Sequence, residues 1–73
     1  MGENIKLSAR NILKGKVKKI TAGSVNSEVV IELPGGQEIT SIITKKSVES
    51  LGLAVGLPAY AIVKSSEVII AVD

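Results

Sequence analysis

Along most of this chain apolar and polar residues alternate with a period of two. That is the spacing of strands with one buried face. Leu13, Gly15 and Val17 alternate with Lys14, Lys16 and Lys18, which predicts a first strand from about Asn11 to Thr21 with one apolar and one basic face. Ala22-Gly23-Ser24 reads as a short turn into a second strand, Val25 to Leu33. There Val25, Ser27, Val29, Ile31 and Leu33 share one face, and Asn26, Glu28 and Glu32 the other. Pro34-Gly35-Gly36 is the strongest punctuation, because Pro sets φ for a turn and Gly accepts positive φ. It predicts a hairpin into a third strand, Gln37 to Thr44. The alternation then stops. Lys45 to Gly52 reads as one or two helical turns, with Thr44 at the N-cap and Gly52 at a left-handed C-terminal position. Gly56-Leu57-Pro58 restarts the chain as a fourth strand, Ala59 to Lys64, and Ser65-Ser66 turns it into a fifth, Glu67 to Val72.

The predicted order is β-β-β-α-β-β. Five short strands with one helix between the third and fourth suit an all-β, OB-like barrel, and Gly15 is the expected site of the bend or bulge that closure needs. Some segments are apolar on both faces. Ile42 opposes Ile39, Ser41 and Ile43, and Ile69 and Ala71 oppose Val68, Ile70 and Val72. Both faces of such strands are expected to be covered, and a chain this short cannot cover both alone. This predicts an interface between subunits.

Composition narrows the chemistry. The 73 residues make a single domain, 1–73. Cys and His are both absent, so disulfides, thiolate metal sites and the usual nucleophile–base pairs are excluded. With no P-loop or dinucleotide fingerprint either, the chain is not expected to be an enzyme or to carry a cofactor or a metal. A small domain without disulfides or metal is expected to gain stability by oligomerising. The net charge of +2 and a single aromatic, Tyr60, argue against a nucleic-acid partner. No apolar run approaches a membrane span, and Met1 to Lys6 lacks a signal-peptide core, so the expected location is the cytoplasm.

Three polar clusters remain. Ser8-Ala9-Arg10-Asn11 precedes the first strand, Thr44-Lys45-Lys46-Ser47 opens the helix, and Lys64-Ser65-Ser66 follows the fourth strand. Hydroxyls, the planar Arg10 fork, the Lys64 point charge and unpaired amides are all donors, a set that suits a small oxyanion. Each cluster also has a plainer role: a helix cap, a hairpin turn or a solvated lead-in. Spacing alone does not bring the three together.

Ser8-Ala9-Arg10-Asn11 followed by Leu13-Lys14-Gly15-Lys16-Val17 resembles the opening of the molbindins, the small Mop proteins related to TOBE-type modules. The resemblance runs on through Ile39 to Thr44, Ser47 to Leu53, Gly56, and Ala61 to Ala71, about residues 7 to 72. It implies an OB-like fold, hexamers built as trimers of dimers, and molybdate or tungstate held between subunits. It also implies that Ser8, Ala9 and Arg10 come from one subunit and Thr44, Ser47, Lys64 and Ser65 from its neighbour. The implied role is storage or homeostasis of the oxyanion. The rival readings are an OB-type nucleic-acid binder, for which the lysine row speaks, and an interaction module without ligand.

Overall fold

The structure is a computed structural model that describes residues 10–73. Four strands form one antiparallel sheet: β1 (Asn11–Ala22), β2 (Asn26–Glu32), β3 (Glu38–Thr44) and β4 (Pro58–Val63), in the order β3-β2-β1-β4. The helix α1 (Lys45–Leu51) lies between β3 and β4, as the OB-like reading requires. The sheet curls into a half-barrel because β1 serves two partners. Asn11–Lys16 pairs with β4, and Lys16–Ala22 pairs with β2.

Gly15 stands near this handover. A Cβ on it would lie inside the envelope of the Glu32 carbonyl oxygen and against Ile31. The glycine therefore permits the close approach of β2 to β1. The bulge itself is elsewhere. Val17 faces Ile31 and Lys19 faces Val30, which leaves Lys18 as the extra residue. Of the bend or bulge expected at Gly15, the bulge lies at Lys18 instead. One extra residue flips the alternation, so Ile20 joins Val17 against the core rather than the lysines. Lys18 in turn reaches the carboxylates of Glu32 on the adjacent β2 and Glu38 on β3 beyond it, and Lys16 also pairs with Glu32. The Glu38 carboxylate accepts from the Lys18 ammonium and holds its pKa above the usual lysine value.

Among the described residues the buried apolar core is small: Val17, Val29, Val30 and Ile31. Ile20, Leu33, Ile43, Val48, Leu53 and Ala59 pack around it. The helix closes one end of this core. It is capped by Thr44, and it ends at Gly52 with φ 65°, where the amides of Gly52 and Leu53 bond to Glu49 and Val48. This arrangement satisfies the final carbonyls and turns Leu53 inward beside Val48. Gly56 and Leu57 then exchange backbone hydrogen bonds with Val17 and lead into β4.

The predicted fifth strand does not form. Ser65–Glu67 is a turn of 3₁₀ helix, and residues 68–73 follow without ladder pairing. Ile69 is 92% exposed, Ile70 81% and Val72 92%. The alternating apolar pattern predicted a strand, but residues 68–73 pair with no edge of the sheet. Between the unpaired edges of β3 and β4 lies an open apolar trough, lined by Val29, Ile31, Ile39, Ile43, Leu53 and Ala61 among others.

Candidate functional site

The three predicted clusters fall at two places. Ser8 and Ala9 lie outside the described residues. Arg10 leads into β1 and is exposed. Asn11 pairs with Val63, so Arg10 and Lys64 flank the last pair of the β1–β4 ladder, on adjacent strands. Ser65 begins the 3₁₀ turn beyond Lys64 and is also exposed. Arg10, Lys64 and Ser65 are therefore gathered at one end of the sheet.

Thr44 and Ser47 are gathered at the other. Thr44 pairs with Asn26, just beyond the Ala22–Ser27 pair that ends the β1–β2 ladder. In register this is the opposite end of β1 from Arg10. The two hydroxyls form a small relay. Thr44 Oγ1 accepts from the Ser47 amide at 3.0 Å and donates to Ser47 Oγ at 2.7 Å. The Ser47 hydroxyl proton is left to donate outward. Ser47 is half-buried and Thr44 exposed. Ser50 Oγ donates to the Ser47 carbonyl at 3.3 Å, which steadies the first turn.

Within one chain the ladders put the two sets at opposite ends of β1 in register. No side-chain hydrogen bond or ion pair joins the two ends among the described residues. At the Arg10 end the turn brings in one residue that the sequence reading left in a strand. Glu67 closes the turn, its amide donating to the Lys64 carbonyl at 2.9 Å. The Ser-Ser-Glu order after Lys64 was its only sequence signal, and strand periodicity masked it.

The chemistry available is donation to an anion. The described site side chains are hydroxyls, one guanidinium and one ammonium, and none of them is a carboxylate. No group of three or more metal-ligating side chains occurs among the described residues. No helix among them is long and apolar enough to cross a membrane.

Comparison with known proteins places this arrangement. The TOBE domain matches residues 7–70, nearly the whole chain. The chain belongs to the TOBE domain family. It is 53% identical over 64 residues to molybdenum-pterin-binding protein 2 of Clostridium pasteurianum, covering 88% of this chain and 94% of that protein. Its fold superposes on MopII from Clostridium pasteurianum with a TM-score of 0.86 and 51% identity, over 92% of this chain and 100% of the other. It superposes equally well on ModG, a cytoplasmic molybdate-binding protein solved with molybdate bound. There the TM-score is 0.88 and the identity 55%, over 90% of this chain and 47% of ModG. As a TOBE domain the chain has the expected OB-like architecture, with four strands where five were expected.

Proposed function

We propose that this TOBE domain binds molybdate or tungstate in the cytoplasm, as a non-catalytic store or buffer of the oxyanion, at sites shared between copies of the chain. The observation that carries this reading is the donor set. The family match spans Ser8, Ala9, Arg10, Thr44, Ser47, Lys64 and Ser65, and no carboxylate is among them. A tetrahedral oxodianion has only acceptor oxygens, so a site made of donors leaves no group unpaired.

The division of the site residues supports a shared site. Arg10, Lys64 and Ser65 stand beyond the start of β1 in register and Thr44 and Ser47 beyond its end, a division that suits a site completed by a second chain. The resemblance implies that Ser8, Ala9 and Arg10 come from one subunit and Thr44, Ser47, Lys64 and Ser65 from its neighbour, and a site shared in that way is the one proposed here. A second chain also excludes water from side chains that are otherwise exposed, which strengthens each charge-assisted bond.

The unpaired tail supports the same conclusion. Burying a large aliphatic side chain contributes about 1.5–3 kcal/mol, and Ile69, Ile70 and Val72 leave that unrealised in one chain. Val68 to Val72 of one copy laid along the open edge of another would complete the barrel that the strand pattern demands. Repeated with closed symmetry, this gives a homo-oligomer, with the hexamer as the proposed form.

Calorimetric titration with molybdate, tungstate, sulfate and phosphate tests the reading. Molybdate and tungstate should bind. Phosphate keeps a proton near neutral pH, and burying that proton without an acceptor costs about 1–3 kcal/mol, so its affinity should be roughly 10- to 100-fold lower. Equal affinity for phosphate would overturn the donor-only site.

A further inference from the structure

We propose that the Lys18 side chain is a salt-sensitive strap: anchored on Glu38 and Glu32 it shields Val30 from water, and when salt screens those ion pairs it lifts and joins Val30 to Ile42 as one apolar strip. Val30 alternates with Val29 and Ile31, which belong to the core cluster, so it faces away from the core. Its partners across the two ladders, Lys19 and Thr40, are both exposed. Val30 is nevertheless only 8% exposed, whereas Ile42, on the same face of the sheet, is 61% exposed. The strand order explains the cover. β2 separates β1 from β3. Lys18 stands on β1 and its ammonium reaches the Glu38 carboxylate on β3, so its stem crosses β2. On the way it meets the Glu32 carboxylate at 3.8 Å, and Val30 pairs with the very next residue, Lys19. Lys18 is the extra residue of the bulge and shares this face with Lys16, since both reach Glu32. A lysine stem covers apolar surface while its ammonium stays in water. The closed strap thus lets a short chain cover an apolar position on its second face by itself. Its anchors are partly exposed, and exposed ion pairs hold loosely and are screened by salt. The strap therefore opens without unfolding the sheet. Val30 faces Thr40 and Ile42 lies two residues on, so the open strap leaves the two as diagonal neighbours.

Methyl NMR of the full chain with a neutral gadolinium chelate in solution reads the cover, with Ile42 as the internal reference. At low salt the Val30 methyls should relax far more slowly than those of Ile42. In about 1 M sodium chloride, where charges are screened beyond about 3 Å, relaxation of Val30 should rise roughly twofold and that of Ile42 should stay unchanged. Glu38→Gln should give the same rise at low salt and leave little further response to salt. Lys18→Ala, which also removes the stem, should raise Val30 relaxation roughly threefold. Val30 as protected in Lys18→Ala as in the parent would overturn the strap and give the cover to another group. Equal protection of Ile42 and Val30 in the parent would put a second copy over this face and overturn it as well. No rise in high salt and none in Glu38→Gln would overturn the ion-pair anchor, whatever Lys18→Ala does.

Discussion

Thr44 does two things with one hydroxyl. It accepts from the Ser47 amide as the helix cap, and it donates to Ser47 Oγ, leaving the Ser47 proton free for an outside acceptor. Replacing it by Ala would confuse the two roles, because losing the cap alone costs about 1 kcal/mol. Thr44→Asp separates them. Aspartate caps a helix as well as threonine does, but it puts a negative charge where the anion is proposed to sit. Thermal melting of the variant should match the parent, and calorimetric molybdate binding should disappear. A variant that binds normally would move the site away from Thr44. The cap was legible in the sequence because it depends on residues three apart in one helical turn. The nearness of Arg10 to Lys64 was not, because it depends on which residues of β1 and β4 pair.

At the scale of the element, β1 governs the fold. Its twelve residues are shared between β4 and β2, and the strand changes partner at Lys16. Of the bend or bulge expected at Gly15, the change of partner lies beside it and the bulge three residues on. Gly15 lets the Glu32 carbonyl approach, and Lys18 is the inserted residue. A glycine in a strand signals either a bulge or close backbone packing, and only the partner strand distinguishes them. Gly15→Ala should therefore destabilise the domain by about 1–3 kcal/mol, the range for forcing an extra carbon into a packed site. Urea denaturation at fixed protein concentration would measure it. An unchanged midpoint would mean that β1 and β2 move apart without cost.

At the scale of the whole molecule, the isolated chain is unfinished. Among the described residues few apolar side chains are buried, an open trough lies between β3 and β4, and residues 68–73 stay outside the sheet. Ending the chain after Glu67 should leave the four strands and lower the subunit count seen by native mass spectrometry. Bound molybdate should be lost in the same experiment. If the shortened chain keeps both the assembly and the anions, the tail has no part in either. The apolar pattern on both faces of residues 68–72 had pointed to a covered strand. One chain supplies the pattern without supplying the cover.

Local chemistry was set by the sequence alone: the strand alternation, the helix between Thr44 and Gly52, the hairpin at Pro34-Gly35-Gly36, and a stock of donors without histidine or cysteine. These depend on neighbours within a few positions, so no partner strand is needed to recognise them. Tertiary structure decided the rest. It placed the bulge at Lys18, kept the tail out of the sheet, and put Arg10 opposite Lys64 and at the far end of β1 in register from Thr44. The physical reason is register. Which residues meet across a sheet is settled by how whole strands pack, and one shifted residue exchanges every inward side chain for an outward one.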